Sequence, residues 1–370
     1  MHFPDYTAGS LVNLMRSIGN AFSAPPTPYV PLAQLTDSGF AGRCTVILLV
    51  IDGLGYDYVQ RHGTLLRAHC QARLTSVFPS TTASSITALL TGVAPQQHGL
   101  TGWFTYLREV GGVTAVLPGQ LRGSQEPLSE RNVDIGALYG HTPFFDLLDV
   151  QSYIVSPGWI IDSDFNRSHC GRASPVGYED LGSMLDAMQQ LSRDASQRKY
   201  VYAYWPDFDR LSHKYGNGSE AVQAHFVALE QGIESLIKNI QGTNTLLLIT
   251  ADHGFIDTSV QHMITVNEHP RLHETLVLPL SGEPRVAYCY VDPGKVEQFR
   301  NYIEDNFSRQ LECVASPALI EQGAFGLGEP HPRLHERVGH FTLLMKDNYI
   351  IKDWLMGERQ FFNIGVHGGT

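Results

Sequence analysis

The sequence predicts an α/β protein built on a doubly wound, mainly parallel sheet with helices on both faces. Two observations carry this prediction. Strand-like runs at 45–51 and 246–251 alternate with helical segments, of which the longest follows Ser219. The run at 45–51 is apolar and rich in β-branched residues, which is typical of a strand covered by helices on both faces. Such sheets bind ligands at the carboxyl ends of their strands.

The first half of the chain is predicted to hold a helix, a strand and a second helix. Residues 8–22 place apolar side chains at helical spacing, and a proline pair follows them as a stop. Two closely spaced glycines after the strand at 45–51 allow a tight turn. The segment 82–90 suits a helix that ends at a Thr-Gly pair. This order is the beginning of a strand–helix alternation.

The second half continues the alternation and then changes character. Ser219 is the predicted N-cap of a long amphipathic helix, and the strand at 246–251 follows this helix directly. Beyond residue 270, the sequence favours a strand at 285–291 and a short helix at 296–307. A hairpin over 341–351, turning at its Lys-Asp-Asn triplet, is predicted next.

This change of character near residue 270 predicts a division into two parts. Residues 1–269 and 356–370 are expected to form the catalytic domain, and residues 270–355 a small α+β cap or insertion. A chain of 370 residues can bury a large core of this kind. It contains no internal repeat.

Composition narrows the classes of partner. The formal net charge of -11 argues against binding to nucleic acid polymers, although a small phosphate ester remains compatible because bound cations invert the local field. The five cysteines are widely spaced, which disfavours a disulfide framework. No apolar run is long enough for a membrane span, and no secretory signal is visible. A cytoplasmic protein is therefore expected, although a chain trimmed of its signal would look the same.

Acidic and histidine side chains stand at or just after four strand-like runs. Because the ends of parallel strands meet at one edge, we expect these side chains to lie together there. Three aspartates and three histidines suffice for two metal ions. The predicted metal ligands are Asp52, Asp209, His213, Asp252, His253 and His367.

The sequence spacing of these residues indicates which of them can share an ion. Asp209 and His213 are four residues apart, so a helix places them on one side, and Asp207 competes with Asp209 for the ligand role. Adjacent residues of a strand point to opposite faces, so Asp252 and His253 can share an ion only where the strand ends, and a glycine follows them.

A hydroxyl-rich segment, 78–85, precedes the helix at 82–90. A threonine at a helix N-terminus would lie where backbone N–H groups favour a phosphate, and metal coordination would make its hydroxyl a nucleophile. The competing interpretation is that Ser80 or Thr81 is a plain N-cap.

Taken together, these segments resemble the alkaline phosphatase superfamily, and most closely its type I phosphodiesterase/nucleotide pyrophosphatase family. The motifs occur in the family's order from Asp52 to His367. The resemblance implies an alkaline phosphatase-like catalytic domain with two Zn²⁺ ions, although the ligands also accept Mn²⁺. One ion would be held by Asp209, His213 and His367. The ligands of the other would be Asp52, Asp252, His253 and the nucleophilic threonine.

The resemblance also implies the roles of the hydroxyl groups. Counted back from the Thr-Gly pair that ends the family's nucleophile helix, the nucleophile is Thr82, with Thr81 as the alternative one residue earlier. Three residues further on, the family has an asparagine that contacts the phosphoryl oxygen, and here Ser85 occupies this phosphate-binding position. The implied reaction is hydrolysis of a small, nucleotide-like phosphodiester or pyrophosphate through a phosphothreonine intermediate.

Other functions remain open at this stage. A phosphomonoesterase or a phosphomutase-like enzyme would use the same ligands, although no counterpart of the phosphate-gripping arginine of monoesterases is recognisable. A sulfatase would need a Cys or Ser in a C/S-x-P-x-R context, which 78–85 lacks. A catalytically silent metal-binding protein is the alternative from a different class. The sequence leaves the natural substrate and the oligomeric state undetermined.

Overall fold

A computed structural model describes residues 2–35, 37–194 and 196–367. Its strands are, in chain order, β1 Thr45–Ile51, β2 Phe104–Leu107, β3 Gly112–Ala115, β4 Gln120–Leu121, β5 Gln151–Pro157, β6 Ser174–Tyr178, β7 Lys199–Trp205, β8 Thr245–Thr250, β9 Phe255–Asp257, β10 Met263–Thr265, β11 Ser281–Glu283, β12 Val286–Cys289, β13 Leu311–Ala315, β14 Phe341–Met345, β15 Ile350–Lys352 and β16 Gly365–His367.

The helices lie between these strands. In chain order they are α1 Leu11–Ala21, α2 Asp37–Phe40, α3 Tyr56–His62, α4 Leu65–Ala68, α5 Thr82–Thr91, α6 Pro95–His98, α7 Ile135–Tyr139, α8 Gly158–Ile161, α9 Asp164–Cys170, α10 Leu181–Arg193, α11 Asp207–Tyr215, α12 Glu220–Asn239, α13 Pro270–His273, α14 Val296–Phe307, α15 Ser316–Glu321 and α16 Leu334–Arg337. Among the described residues, none of these helices combines the length and the apolar character needed to cross a bilayer.

The central sheet is parallel and has the strand order β6-β5-β7-β1-β8. Strand β1 lies between β7 and β8, and all seven of its residues are buried. Its side chains alternate between two apolar cores. Val46, Leu48 and Val50 belong to a core that includes residues of α1 and α5, whereas Ile47, Leu49 and Ile51 belong to one that includes residues of α10 and α12. The predicted α/β fold, with a mainly parallel sheet covered on both faces, is confirmed.

A second sheet is antiparallel and has the strand order β13-β14-β12-β11-β2-β3-β4. It draws its strands from two distant parts of the chain, 104–121 and 281–345. Residues before 270 therefore contribute to the sheet that contains the strands of the predicted insertion. The boundaries of the catalytic domain (1–269 and 356–370) and of the insertion (270–355) stay a prediction.

The predicted hairpin over 341–351 is wrong. Strand β14 lies between β12 and β13, whereas β15 pairs in parallel with β10 in a separate two-stranded sheet. The chain does turn at 346–349, where the Tyr349 N–H donates to the Lys346 carbonyl at 3.0 Å. The two strands part after this turn because each finds a partner that is distant in sequence.

Candidate metal centre

The six predicted metal ligands lie together at the carboxyl ends of the central strands. Asp52 directly follows β1, and the Asp252-His253 pair begins two residues after the end of β8. Helix α11 begins two residues after β7 and carries Asp209 and His213. His367 arrives from another direction, on strand β16, which pairs with β9. Parallel strands thus supply three of the ligands, and short elements beyond them supply the rest.

Four side chains form a group that we name the Asp52 cage: Asp52, Thr82, Asp252 and His253. The Nε2 atom of His253 lies 3.2 Å from the Asp52 Oδ1 atom and 3.4 Å from the Asp252 Oδ2 atom. The Thr82 hydroxyl lies 3.0 Å from the same nitrogen. Ligands of one tetrahedral zinc ion are about 3.3 Å apart, given bond lengths of about 2 Å. The spacing within this cage suits such an ion.

Three further side chains form the Asp209 cage: Asp209, His213 and His367. The Nε2 atoms of the two histidines are 3.0 Å apart. The Asp209 Oδ1 atom is 3.4 Å from the His213 Nε2 atom and 3.5 Å from the His367 Nε2 atom. The cages adjoin, because the His253 Nε2 atom is 3.9 Å from the Asp209 Oδ1 atom. The structure therefore brings together all seven predicted ligands, in two neighbouring groups.

The histidine rings are oriented by their other nitrogen. The Nδ1–H groups of His213 and His253 donate to backbone carbonyl oxygens at 2.8 and 3.3 Å. The Nδ1 atom of His367 lies 3.0 Å from the Thr81 hydroxyl. In each ring the Nε2 atom is left to face the cages. Metal-bound histidines use this arrangement, in which a partner on one nitrogen fixes the tautomer and leaves the other nitrogen for the ion.

The aspartates divide their oxygens in the same way. The Asp52 Oδ2 atom accepts a hydrogen bond from the Tyr204 hydroxyl, and the Asp252 Oδ1 atom accepts from the Gly53 N–H at 3.0 Å. By contrast, Asp52 Oδ1, Asp252 Oδ2 and Asp209 Oδ1 are buried and without a hydrogen-bond donor. Buried carboxylate oxygens left in this state are costly. Cations in the cages would satisfy all three, so the residues fit a metal centre.

Two groups of the Asp52 cage have a shifted pKa. Burial, followed by the negative charges of Asp252 and Asp209, raises the pKa of Asp52 well above its ordinary value. Burial also lowers the pKa of His253 to about 4, so its ring is neutral at pH 7. A neutral ring is the form that ligates a metal.

Two residues at the centre were not anticipated from the sequence. Tyr204, on β7, holds Asp52 through its hydroxyl. Glu283, at the end of β11 in the second sheet, is buried and places its Oε2 atom 3.4 Å from the His367 Nδ1 atom. Tyr204 stands five residues before Asp209 in the strand that precedes α11, and this position is the only sequence signal that could have pointed to it. Glu283 stands in a polar Ser-Gly-Glu-Pro segment that resembles a turn and gives no such signal.

Glu283 also perturbs the ionisation of His367. Burial disfavours the imidazolium, but the neighbouring carboxylates of Asp209 and Glu283 outweigh it and raise the pKa of His367 to about 10. In Asp209, burial acts against ionisation, but the positive charges of His213 and His367 more than offset it, which lowers the pKa of this carboxyl. A metal ion bound to His367 must therefore displace a proton from its Nε2 atom.

The two threonines have different surroundings. Thr82 is the first residue of α5, and its hydroxyl faces the Asp52 cage. Thr81 is the N-cap residue of α5, and its hydroxyl contacts His367 and Glu283 instead. Ser85 is buried, and its hydroxyl lies 2.8 Å from that of Ser76, which donates to the Asp252 carbonyl oxygen. Ser85 therefore lies near the cage, with its hydroxyl already engaged.

The competing ligand Asp207 is occupied elsewhere. Its carboxylate accepts a hydrogen bond at 2.9 Å from the Arg210 guanidinium on the same helix. Asp209, one helical turn before His213, is the carboxylate that faces the cages.

The chain is similar to a known protein family and to solved structures. The sequence model of the type I phosphodiesterase/nucleotide pyrophosphatase family matches residues 46–370. A comparison with curated protein sequences gives no significant match.

The structural similarity is one of fold. Murine ectonucleotide pyrophosphatase/phosphodiesterase 5, solved as an inactive threonine-to-alanine variant in complex with AMP, is 16% identical with a TM-score of 0.65, over 87% of this chain and 83% of that chain. The human protein of the same name is 16% identical with a TM-score of 0.62, over the same shares. Phosphonoacetate hydrolase from Sinorhizobium meliloti 1021, in complex with phosphonoformate, is 15% identical with a TM-score of 0.60, over 88% of this chain and 87% of that chain.

Proposed function

Because the chain belongs to the type I phosphodiesterase/nucleotide pyrophosphatase family, whose members hydrolyse phosphoester bonds, we propose that it is a phosphodiesterase or pyrophosphatase. Its proposed substrates are small and nucleotide-like, and it would cleave their phosphodiester or pyrophosphate bonds at a two-zinc centre. One observation carries the proposal. Three buried carboxylate oxygens without donors face three histidine Nε2 atoms, beside the hydroxyl of Thr82. The AMP complex of the murine protein supports a nucleotide-like substrate.

The two cages define which residues hold the ions. One zinc ion would be held by Asp209, His213 and His367, and the other by Asp52, Asp252, His253 and Thr82. Zinc suits mixed oxygen and nitrogen ligands, with manganese as the second candidate. When bound, the ions lower the pKa of the Thr82 hydroxyl, neutralise charge on the phosphoryl oxygens and stabilise the leaving oxygen.

Thr82 is the proposed nucleophile. Its oxygen attacks phosphorus in line with the leaving oxygen, and the hydroxyl proton is released to solvent as the new bond from Oγ1 to phosphorus forms. The bond from phosphorus to the leaving oxygen breaks, and that oxygen takes up a proton. The other ester group stays on phosphorus, so the intermediate is a phosphothreonine that still carries this group. Water then attacks its phosphorus, the bond from phosphorus to Oγ1 breaks, a phosphate monoester leaves, and Oγ1 takes up a proton to regenerate the Thr82 hydroxyl. The N-terminus of α5 faces this position with the positive end of its helix dipole, which favours the negative phosphoryl group.

The charge of the site favours diesters over monoesters. Three aspartates oppose the four positive charges of two zinc ions, which leaves one positive charge, and the nearby Glu283 carboxylate cancels it. A diester phosphate carries one negative charge, whereas a monoester carries up to two and needs more compensation. Ser85 remains the proposed phosphate-binding residue, and a substrate oxygen would have to compete with Ser76 for its hydroxyl.

The proposal is tested by a substrate screen with matched variants. Zinc-loaded protein is assayed on bis-p-nitrophenyl phosphate, p-nitrophenyl phosphate, a dinucleotide and phosphonoacetate. We expect the diester and the dinucleotide to be cleaved fastest. Thr82→Ala should lower kcat by at least about 10³-fold, because the covalent step is lost. After acid quenching of the wild type during turnover of bis-p-nitrophenyl phosphate, mass spectrometry should find a p-nitrophenyl phosphoryl group on Thr82.

The control is Thr87→Ala, on the same helix. The Thr87 hydroxyl donates to the Ala83 carbonyl oxygen at 2.6 Å and faces no cage, so this variant should retain activity. Diesterase activity that survives Thr82→Ala at the wild-type rate would overturn the nucleophile assignment. A protein that takes up no metal and cleaves none of these esters would overturn the proposed function.

A further inference from the structure

A buried glutamate of the second sheet reaches the metal centre through a threonine. The Oε1 atom of Glu283 accepts hydrogen bonds from the Thr81 hydroxyl and from the Trp103 N–H, the latter at 2.7 Å. The Thr81 oxygen lies 3.0 Å from the His367 Nδ1 atom, and the Glu283 Oε2 atom lies 3.4 Å from the same nitrogen. Glu283, Thr81 and His367 thus form a closed triangle, and the Nε2 atom of His367 faces Asp209 and His213 on the other side of the ring.

The donors of this triangle can be assigned. The Thr81 hydroxyl has a single proton, which it donates to the carboxylate, so its oxygen can only accept from His367. The Nδ1 atom of His367 must therefore carry a proton. In the neutral ring the Nε2 atom is then unprotonated, and this is the atom that faces Asp209 and His213. The triangle accordingly selects the tautomer that can bind a metal.

The position of Glu283 is built into the backbone. Gly282 has a φ of 84°, and a Cβ atom there would overlap the Val286 carbonyl oxygen. A Cβ atom on Gly102 would lie 2.6 Å from the Gly282 Cα atom, so the two backbone segments touch directly. This close approach brings the N–H of Trp103 to Glu283. The carboxylate is therefore held by the fold, independently of any ion.

We propose that Glu283 is a positioning residue of the Asp209 cage: together with Thr81 it fixes the tautomer and orientation of His367, and so sets the metal affinity of this cage and not of the Asp52 cage. The inference rests on the proposed two-metal function. Partners of this kind behind a metal-bound histidine change metal affinity by about 10- to 100-fold.

The test measures zinc affinity with Glu283→Gln. A glutamine must turn its NH₂ group either toward His367 or toward Thr81. In the first orientation it faces the Nδ1–H donor of His367, and in the second the proton of the Thr81 hydroxyl loses its acceptor. Metal-free protein is titrated with Zn²⁺ against a chromophoric chelator. We expect one of the two zinc equivalents to bind about 10- to 100-fold more weakly and the other to be unchanged. A merely structural role would weaken both equivalents together or neither.

Thr81 provides a second route to the same measurement, which is useful if Glu283→Gln folds poorly. Thr81→Val breaks the triangle and should weaken one equivalent, whereas Thr81→Ser keeps the hydroxyl and should bind both normally. Glu312→Gln, an exposed site on β13 of the same sheet, is the matched control and should match the wild type.

The outcomes separate this inference from the proposed function. The inference would be overturned, and the proposed function left intact, if the Glu283→Gln and Thr81→Val variants bind both zinc equivalents with wild-type affinity. The same holds if these variants bind both equivalents equally more weakly than the wild type. Wild-type protein that binds no zinc would overturn the proposed function, and the inference with it.

Discussion

At the scale of single residues, several side chains of the candidate metal centre use one polar atom for a protein partner and turn another toward the cages. Tyr204 takes one oxygen of Asp52, and the backbone takes one oxygen of Asp252 and one nitrogen of His213. Such partners hold the ligands in place before any ion arrives, which lowers the conformational cost of binding it. A change that displaces one ligand should therefore affect metal binding more than global stability.

Gly53 tests how far zinc binding depends on the close packing of the backbone around Asp209. Its φ is 75°, and an added Cβ atom would overlap the Phe255 ring and lie 3.3 Å from the Asp209 Cα atom. Gly53→Ala should destabilise the protein by roughly 3 kcal/mol, from backbone strain and the collision together, and should weaken zinc binding. Chemical denaturation and zinc titration provide the measurements.

The control for Gly53→Ala is Gly242→Ala. Gly242 has a similar φ of 80°, and no atom lies within 4 Å of its added Cβ. This variant should lose only about 1 kcal/mol from backbone strain and bind zinc normally. Equal effects of the two changes on zinc affinity would show that the collision near Asp209 is unimportant.

At the scale of elements, short segments deliver the ligands that the long strands cannot. Helix α11 has nine residues, enough to place Asp209 and His213 one turn apart on the same side. Strand β16 has three residues and is aligned by its antiparallel pairing with β9, in which His367 lies opposite Phe255. The last metal ligand thus depends on a small number of backbone hydrogen bonds.

Thr258 tests this dependence. Its N–H donates to the Ile364 carbonyl oxygen at 2.7 Å, directly before β16. Thr258→Pro removes this donor and leaves the Ile364 carbonyl unpaired, which should lower the free energy of unfolding by about 1–3 kcal/mol. Strand β16 should then be held less firmly, and one zinc equivalent should bind more weakly. Thr258→Val keeps the N–H and should bind both equivalents. Zinc titration and limited proteolysis near the C-terminus distinguish the two; a Thr258→Pro variant with intact zinc affinity would contradict this account.

The elements that the sequence predicts well are those with a long local pattern. Helix α14 matches its predicted range of 296–307, and β1 matches 45–51. Both have a periodic or continuous apolar pattern that local packing preserves. The structure also brings together the six Asp and His residues predicted from motifs that follow such strands, and their role as metal ligands stays a prediction.

The elements that escaped prediction depend on distant partners. Strands β14 and β15 are adjacent in sequence, yet they pair with strands some 30 to 90 residues away, and no local pattern encodes this choice. Glu283 meets Thr81 across a separation of 202 residues. A carboxylate that matters through its contacts in the folded chain leaves no spacing motif, and only the structure reveals it.

At the scale of the whole molecule, the candidate metal centre lies where the two sheets meet. The central sheet supplies Asp52 and Asp252, and the second sheet supplies Glu283. The carboxylates of the centre repel one another until cations bind. A centre of this kind lowers the stability of the metal-free fold, and bound ions reverse the effect by mass action.

Asp52→Asn should therefore have opposite effects in the two states. Folding raises the pKa of Asp52 above the ordinary 3.8, so the ionised carboxylate weakens the metal-free protein increasingly as pH rises above about 4. The amide removes this penalty and still accepts a hydrogen bond from Tyr204, so the metal-free variant should melt at a higher temperature than metal-free wild type at pH 7.

With excess zinc the order of the melting temperatures should reverse, because wild type gains about 4 kcal/mol of stability at a zinc concentration a thousand times Kd and the variant gains less. Calorimetry with chelator and with zinc measures both states, and Asp305→Asn, an exposed change on α14, should shift neither. A variant that melts lower than wild type in both states would show that carboxylate repulsion does not limit the metal-free fold.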